Sequence, residues 1–566
     1  MEPQQNIGTS PAATSNKPSF KWGRCVVACL FVAGCMSPEE AVDSADAEVY
    51  ALVQETRDSI LGSELPFSIQ PPEDSLRQRL MRGEGLDDPR ISNLSLEQCL
   101  EIAAENSRNF QSQKESLYID ALDLTLERWR FGTIFSLGGS AGVGGTGLDD
   151  GTASVDADGS ASKLFGSGGR LVTNIGASLF RAIGTGDGWD ALSNMGLSFT
   201  QPLLRGSARE IVMEPLTQAE RNLVYGVRSF ERFRSGFAQD VASRYYNLLL
   251  TKQTVKNELD NIDMLELLSR RNRAFVEAGK LNEIDAGQAD QGVLGSRNRL
   301  VELEGQLDRE LDSFKLFLGL PIDTPIQLKE GALTGLEIQI AAELLHGWSE
   351  EQLTKLALTQ RFDFLNNLEQ LIDAERSARI AADQLRVGLG LTTSLNASST
   401  SGSPLAYSDD RLPWTVELDL DMPVDQIPER NSYRRSLISY EARKRSMEEL
   451  AESIRVDLRD SIRRTGTTEA RYRLQLETVE LNRRRVKSSS MMLEAGRSDT
   501  RALLESQGAL LDALNAADAA LVDFTLAKLE LYRQLELVEF DSTGIVVHID
   551  KLASGPSTPN LDTDNE

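Results

Sequence analysis

The side chains that most often carry catalysis or metal binding are sparse in this 566-residue chain. It has two histidines, His346 and His548, and neither lies beside a cysteine or a plausible cluster of carboxylates. Nucleophilic and metal sites usually need such neighbours. The Asp-Ala-Asp-Gly run at 156–159 lacks the rest of a calcium loop and is typical of a surface turn, and the Gly-Ser-Gly-Gly run at 166–169 lacks the lysine of a phosphate loop. We therefore predict no enzyme, no metal site and no cofactor.

One residue near the N-terminus is a candidate for covalent modification. A basic stretch up to Arg24 precedes an apolar run at 25–34 that is too short to span a bilayer, and a Val-Ala-Gly-Cys sequence ends at Cys35. This pattern resembles the processing site of bacterial lipoproteins. It predicts a signal peptide at 1–34 and acylation of Cys35, with palmitate among the chains that anchor the protein to lipid. An ordinary signal peptide with an incidental cysteine is the alternative.

Two short runs divide the helical parts of the chain. Residues 275–280 read Phe-Val-Glu-Ala-Gly-Lys, and residues 492–497 read Met-Leu-Glu-Ala-Gly-Arg. Each follows a long, proline-poor stretch compatible with a helix and precedes a further helical stretch of about forty residues. Because glycine readily adopts the left-handed turn that ends a helix, we predict two long antiparallel hairpins that turn at Gly279 and Gly496. A helix of about 64 residues is about 96 Å long.

Segments with two-residue periodicity lie before each long helix. One set occupies about 131–202 and the other about 386–423, and each ends at a proline. Such alternation, bounded by Gly, Asp and Pro, predicts strands. Residues 149–169 are turn-like and predict a long loop within the first set. We expect four strands per chain.

The order of elements occurs twice along the chain. Ser95 and Ser349 each precede a glutamine by three positions and open a helix with the pattern of a capping box. A helix-strand-strand-helix-helix order then follows in each of two repeats, at 94–321 and 349–540. The fold class is therefore mainly α with a β portion.

The remaining segments are more polar. Residues 35–93 are acidic and punctuated by prolines, which predicts an extended linker, with short helical pieces such as 47–61, that runs from the lipid anchor along the body. Residues 322–348 and 541–566 are a mid-body connector and a polar tail. The chain has 86 acidic and 60 basic residues, a net charge of −26. Such a surface disfavours nucleic acid and suits a cation-friendly lumen or a basic partner, although it also serves solubility alone.

The chain resembles the outer-membrane efflux protein (TolC-like) family over about 93–540. The resemblance rests on the duplicated helix start, a Gln-Pro-Leu-Leu-Arg-Gly run at 201–206, the two Glu-Ala-Gly turns, and Gly-Leu-Pro at 319–321. It implies a homotrimer with a twelve-stranded outer-membrane β-barrel on a long α-helical periplasmic tunnel. Four strands cannot close a barrel alone, since about eight is the smallest number, and lipid does not tolerate open sheet edges.

The resemblance also implies a function. It is that of the exit duct of a tripartite efflux system, lipoprotein type, which passively exports small molecules across the bacterial outer membrane. The implied partners are a periplasmic adaptor (membrane fusion) protein, an inner-membrane transporter and outer-membrane lipid. A type I protein-secretion duct is the alternative within transport. A periplasmic coiled-coil scaffold without a pore is the alternative outside it, and such a scaffold would not need the alternating segments.

The same resemblance suggests functional residues at the hairpin tips. Acidic residues on the return helices ring the closed tunnel mouth in the family, which makes Asp285, Glu505 and Asp499 candidates for a tunnel gate; Ala502, at the position that corresponds to Asp285, departs from the pattern. Residues at the two turns are candidates for contact with the adaptor: Gly279, Lys280, Gly496 and Arg497. A solvated helix face, or a basic residue that favours a helix C-terminus, is the alternative.

Overall fold

The computed structural model describes residues 36–61, 67–70, 74–146, 150–183, 188–329, 331, 348–400, 402–407, 412–541 and 544–547. The predicted signal peptide and Cys35 lie outside these residues. So do most of the predicted connector at 322–348 and most of the predicted tail at 541–566.

The first half of the chain contains helices on both sides of a block of strands. In chain order its elements are α1 (Pro38–Leu61), α2 (Leu76–Met81), α3 (Pro89–Ser92), α4 (Leu96–Asn106), α5 (Arg108–Phe131), β1 (Thr133–Thr146), β2 (Asp150–Leu164), β3 (Arg170–Ile183), β4 (Asp190–Pro202), α6 (Arg209–Glu277) and α7 (Glu283–Leu318). Helix α6 has 69 residues. At 1.5 Å per residue it is about 100 Å long.

The second half repeats this order with shorter loops. Its elements are α8 (Glu350–Gln360), α9 (Phe362–Asp383), β5 (Gly388–Thr400), β6 (Ser403–Tyr407), β7 (Trp414–Asp421), α10 (Ile427–Glu494), α11 (Thr500–Gln534), β8 (Val538–Asp541) and β9 (Gly544–Val547). The prediction of a mainly α fold with a duplicated order of elements is confirmed.

The predicted capping boxes are present at the start of both halves. The hydroxyls of Ser95 and Ser349 accept hydrogen bonds from the N–H groups of Gln98 and Gln352, at 3.3 and 3.2 Å. Each glutamine side chain in turn accepts from the serine N–H at 2.9 Å. These reciprocal bonds satisfy N–H groups that the first turn of a helix leaves free, so α4 and α8 begin at equivalent points.

The sequence predicts one continuous helix after each capping box, to about residue 130 in the first half and about 385 in the second, and this prediction is wrong. Ser107 is extended (φ −71°, ψ 126°) and separates α4 from α5, while Arg361 (φ −65°, ψ 119°) separates α8 from α9. The first break receives the end of α7, where Gly319 is left-handed with φ 80°. A Cβ at Gly319 would lie 2.1 Å from the carbonyl oxygen of Asn106. The break between α4 and α5 is therefore in contact with Gly319, a residue that is distant in the sequence.

Strands β1 to β7 form one antiparallel sheet, curled into a half-barrel. Its order is β1-β2-β3-β4-β5-β7, and β6 pairs with the far end of β5. Strands β4 and β5 join the two halves, from Asn194 opposite Ser398 to Pro202 opposite Gly390. The prediction of four strands per chain is wrong, because the predicted loop at 149–169 contains all of β2 and the first half alone supplies four strands.

The helices pack side by side, and different helices are neighbours near the hairpin turns and near the sheet. Near the hairpin turns, α7 packs on α6, α6 on α11, and α11 on α10. Near the sheet, α5 packs on α6, α6 on α9, and α9 on α10. Helix α10 therefore lies on one side of the body throughout, and α5 and α7 lie on the other.

The segment at 35–93, predicted as an extended linker, is packed against the helical body in its described part. Val49 and Val53 of α1 are fully buried, since positions four residues apart share one face of a helix. The guanidinium of Arg57 forms a buried ion pair with Glu231 of α6 at 3.2 Å. Helix α1 is thus part of the core, which burial of its apolar face stabilises.

Two short β pairings lie midway along the body. The N–H of Leu94 donates to the carbonyl of Gln327 at 2.7 Å, and Lys329 donates back to the carbonyl of Leu94 at 3.1 Å. Strand β8 pairs with β9 after the end of α11. The pairing at Leu94 ties the described part of the predicted connector to the start of the first half.

Candidate functional site

One face of the sheet is lined by apolar side chains that are exposed in the single chain. On β1, Phe135 and Leu137 are 77% and 72% exposed, and on β7 Trp414 and Leu418 are 71% and 64% exposed. Directly opposed residues of an antiparallel pair share a face. The register connects Phe135 to Trp414 of β7 through Ala161, Thr173, Leu197 and Leu395. It connects Leu137 through Gly159, Ile175 and Met195 to Ala397 of β5. The apolar band therefore crosses all six long strands.

The opposite face of the sheet is polar and acidic. It carries Asp156 and Asp158 on β2 and Glu417 and Asp419 on β7. Gly138 on β1 stands opposite Asp158, and the carboxylate covers it, since a Cβ at Gly138 would lie 2.8 Å from the Asp158 Oδ1. An apolar exposed face and a polar face on the same strands are the pattern of a wall between lipid and water.

The sheet has two outer strands, β1 and β7. Within the described chain β1 pairs with β2 alone and β7 with β5 alone, so each leaves one backbone edge without a partner. Strand β1 continues from α5 and β7 leads into α10, so the two run in opposite directions. Helices α5 and α7 lie on the β1 side, and α10 lies on the β7 side. The free edge of β1 could therefore pair with the free edge of β7 from another copy in an antiparallel ladder.

No helix in the described ranges is both long enough and apolar enough to cross a bilayer.

The two hairpin turns have the same backbone geometry. Gly279 and Gly496 are left-handed, with φ of 68° and 67°. The N–H groups of Lys280 and Arg497 each donate to the carbonyl of the residue five positions earlier, at 2.8 Å. This bond closes the helix end in the manner expected of a glycine C-cap, so the prediction of two hairpin turns at these glycines agrees with the fold.

The tips of the two hairpins pack on each other. An ion pair joins Arg271 of α6 to Glu494 of α10 at 3.5 Å. Beside it lies a small apolar cluster with one residue from each of the four helices: Leu268, Ala289, Leu493 and Leu503. The tips of one chain therefore form a single four-helix unit.

Comparison with solved structures decides the fold. No protein-family model matches the sequence, and no curated protein sequence matches it either. CusC, whose structures concern folding and transmembrane channel formation, is 12% identical with a TM-score of 0.57, and the match covers 78% of this chain and 92% of that chain. The CmeC outer membrane channel of Campylobacter jejuni is 12% identical with a TM-score of 0.56, over 89% and 96% of the two chains. The VceC outer membrane protein of Vibrio cholerae is 12% identical with a TM-score of 0.56, over 78% and 95%.

The chain has the outer-membrane channel fold.

In this channel fold the predicted gate residues lie at the starts of the return helices. Asp285 is the third residue of α7 and is half-buried, while Glu505 is the sixth residue of α11 and is exposed. Neither carboxylate has an ion pair or a side-chain hydrogen bond within the described part of the chain. Asp499 differs, because it is the N-cap of α11 and accepts a hydrogen bond from the N–H of Ala502 at 2.9 Å. Its side chain therefore stabilises the helix start.

The predicted adaptor-contact residues lie at the far end of the hairpins from the sheet. The side chains of Lys280 and Arg497 are exposed, and neither makes an ion pair with another described residue. Both stand one residue after the turn glycine, so each turn has a cation next to its glycine. The channel fold thus leaves both cations accessible to a partner.

Sequence reasoning missed a polar cluster that joins the two halves below the sheet. The hydroxyl of Tyr225 on α6 donates to the carboxylate of Asp373 on α9 at 2.7 Å. Arg376 pairs with the same carboxylate at 2.9 Å and with Glu214 at 2.9 Å. Burial, together with the hydrogen bond to Asp373, raises the pKa of Tyr225. Asp373 and Arg376 are three apart on one helix, which is a visible signal, but their partners lie about 150 residues away in the sequence.

Sequence reasoning also missed Asp156 and Asp158, which it assigned to a turn. They lie in the middle of β2, on the polar face of the sheet. The available signal was the strict alternation between small apolar residues and polar residues, which here runs Ala153, Ser154, Val155, Asp156, Ala157, Asp158, Gly159, Ser160 and Ala161. Alternation of this kind is typical of a barrel strand.

Proposed function

We propose that three copies of this chain form a passive channel through the bacterial outer membrane, the exit duct of a tripartite efflux system for small molecules. The observation that carries this proposal is the sheet. It presents an exposed apolar face and an acidic polar face on the same six strands, and it stands on helices about 100 Å long. In a water-filled duct the apolar face would contact lipid and the acidic face would contact water.

The homotrimer is supported by the two lateral sides of the chain. Lipid does not tolerate an open strand edge, so β1 of one copy needs β7 of the next. The helices on these sides also carry opposite charge: α7 has eight acidic and four basic residues, while α10 has sixteen basic and eleven acidic ones. Complementary charge favours the same side-by-side contact along the helices.

The hairpin tips are the proposed contacts with a periplasmic adaptor, which would link the channel to an inner-membrane transporter. Exposed Lys280 and Arg497, next to the tight turns at Gly279 and Gly496, would meet acidic or carbonyl groups of the adaptor. The transporter would supply the energy, and the channel itself would conduct passively. Acylation of Cys35 would add an anchor in the outer membrane.

The tunnel gate is proposed at the same end. Three copies would bring three Asp285 and three Glu505 carboxylates around one axis, with Asp499 holding each α11 start in place. A ring of carboxylates attracts cations and excludes anions. Opening would then move the hairpin tips apart.

Membrane fractionation tests the proposal. The full chain, expressed with its own N-terminal segment in a Gram-negative host, should appear in the outer-membrane fraction. On gels without boiling it should run as a trimer that boiling converts to a monomer. A soluble periplasmic monomer would overturn the channel proposal and favour the scaffold alternative.

A further inference from the structure

We infer that β2 and β3 are full membrane-spanning strands, so that each chain contributes six long strands and three copies close an eighteen-stranded barrel. This inference rests on the proposed function, and it deepens it by fixing the wall and width of the pore. The twelve-stranded barrel expected from the sequence needs four strands per chain, and the sheet has six long ones.

The pairing of β2 and β3 is as complete as that of any strands in the sheet. Strand β1 pairs with β2 over fourteen residues, from Thr133 to Thr146, and β2 pairs with β3 over fourteen residues, from Gly151 to Leu164. No register shift interrupts these ladders. A transmembrane strand needs about 9 to 11 residues, so both strands are long enough to cross the hydrocarbon layer.

The two strands also have the two faces that a barrel wall requires. On the lipid side β2 presents only small apolar residues between Ala153 and Ala161, and β3 presents Ile175 and Leu179, which are 55% and 47% exposed. On the other side they present serines, asparagine and two carboxylates. If the β2–β3 hairpin lay outside the barrel in water, its apolar side would have no need to continue the apolar band of β1 and β4.

The helices below the sheet provide an independent check on the strand number. Four helices per chain adjoin the strands, namely α5, α6, α9 and α10, which makes twelve in a trimer. At 8 to 10 Å between axes, twelve helices have a circumference of about 96–120 Å. Strands 4.8 Å apart and tilted by about 40° take up about 6.3 Å each, so eighteen span about 113 Å and twelve only about 75 Å. Eighteen strands therefore match the helical cylinder without a taper.

The consequence concerns the width of the exit. By the same geometry the backbone of an eighteen-stranded barrel has a diameter of about 36 Å, against about 24 Å for twelve strands. The barrel would then be no narrower than the helical tunnel. Size selection and closure would fall entirely on the hairpin tips at the other end of the duct.

Single cysteines at neighbouring positions test the inference. The full chain in outer-membrane vesicles would be treated with a charged, membrane-impermeant maleimide. Asp158→Cys, on the polar face of β2, should react at least tenfold faster than Ala157→Cys, on its apolar face, because a thiol in lipid is inaccessible to the reagent. Leu197→Cys and Ser198→Cys form the matched control pair on β4, and Cys99 gives no background because it is fully buried.

The two pairs separate the inference from the function on which it rests. Alternating reactivity in both pairs supports the eighteen-stranded barrel. Alternation at 197 and 198 with equal labelling at 157 and 158 overturns it and leaves a channel with fewer strands. No alternation in either pair overturns the channel itself. A barrel diameter near 24 Å in electron cryomicroscopy of the trimer would also overturn the inference.

Discussion

The side-chain amide of Asn272 on α6 donates a 2.9 Å hydrogen bond to the hydroxyl of Thr500, the first residue of α11, and both side chains are fully buried. The same amide contacts the backbone carbonyl of Asp285 at 3.4 Å. One asparagine thus joins both hairpins of a chain at the level of the proposed gate. Relative movement of the two hairpins must break this bond.

Replacement of Thr500 by valine should favour the open gate. It keeps the shape of the side chain and leaves the buried amide of Asn272 without its partner, which costs about 1–2 kcal/mol in the closed state and shifts the equilibrium about 5- to 30-fold. Open probability in planar bilayers is the measurement. Thr500→Ser retains the hydroxyl and should behave like the wild type. If T500V leaves the open probability unchanged, the two hairpins move as one body.

Removal of the gate charges should lower the affinity of the tunnel mouth for cations. In the double variant Asp285→Asn and Glu505→Gln, block of the current by divalent cations should fall and leak should rise, because carboxylates near the axis attract counter-ions. Glu283→Gln, which removes a charge from the first turn of α7, is the matched control. Unchanged block in the double variant would show that Asp285 and Glu505 belong to an ordinary solvated helix face.

Charge reversal on α7 should weaken the trimer. Glu302 and Glu304 are exposed and lie 23 and 25 residues after Gly279, while Arg473 and Arg471 of α10 lie equally far before Gly496. Changing both glutamates to lysine should lower the temperature at which the trimer dissociates. Single surface pairs are worth at most about 1 kcal/mol, but three interfaces multiply the effect.

The reciprocal change provides the control for that interface. Arg471→Glu and Arg473→Glu alone should also destabilise the trimer, and the fourfold variant should regain most of the loss. If the fourfold variant is less stable than either double variant, these helices do not face each other between copies.

The close approach of Gly319 to Asn106 predicts a sharp loss of stability on substitution. Gly319→Ala should cost about 2 kcal/mol or more, because a left-handed alanine is strained and its Cβ would overlap the Asn106 carbonyl. The thermal melting temperature followed by circular dichroism is the measurement. Gly305→Ala, within the helix that Gly319 terminates, is the control, because its Cβ would meet no atom closer than 3.6 Å. That control should be neutral or more stable by about 0.5–1 kcal/mol. Equal melting of the two variants would contradict the tight junction between α4 and α7.

The features that follow from local chemistry could be predicted from the sequence. The capping boxes at Ser95 and Ser349 and the turns at Gly279 and Gly496 depend on a few adjacent residues, and each lies where the pattern indicates. The breaks at Ser107 and Arg361 could not be predicted in this way, because at least the first of them depends on a neighbour more than two hundred positions away.

The errors in the sheet and in the N-terminal segment have a different origin. Aspartate and glycine at 156–159 are turn residues in a soluble protein, but on β2 the aspartates face a polar side and the glycine leaves space for strand packing. The prolines between 35 and 93 suggested a linker with only short helical pieces, whereas Val49 and Val53 lie in a 24-residue helix whose apolar face packs on the body. In both cases the partner surface, absent from the local sequence, determines the structure.

Ion conductance in planar lipid bilayers tests the central claim most directly. On the polar face of the strands, the described side chains of each chain include six acidic residues and one basic residue, Arg170. Purified trimer should therefore insert and give discrete current steps, and under a salt gradient the reversal potential should show preference for cations over anions. A purified trimer that inserts into the bilayer and gives no current steps, even after T500V and the double gate variant, would contradict the proposal that this chain is an outer-membrane channel.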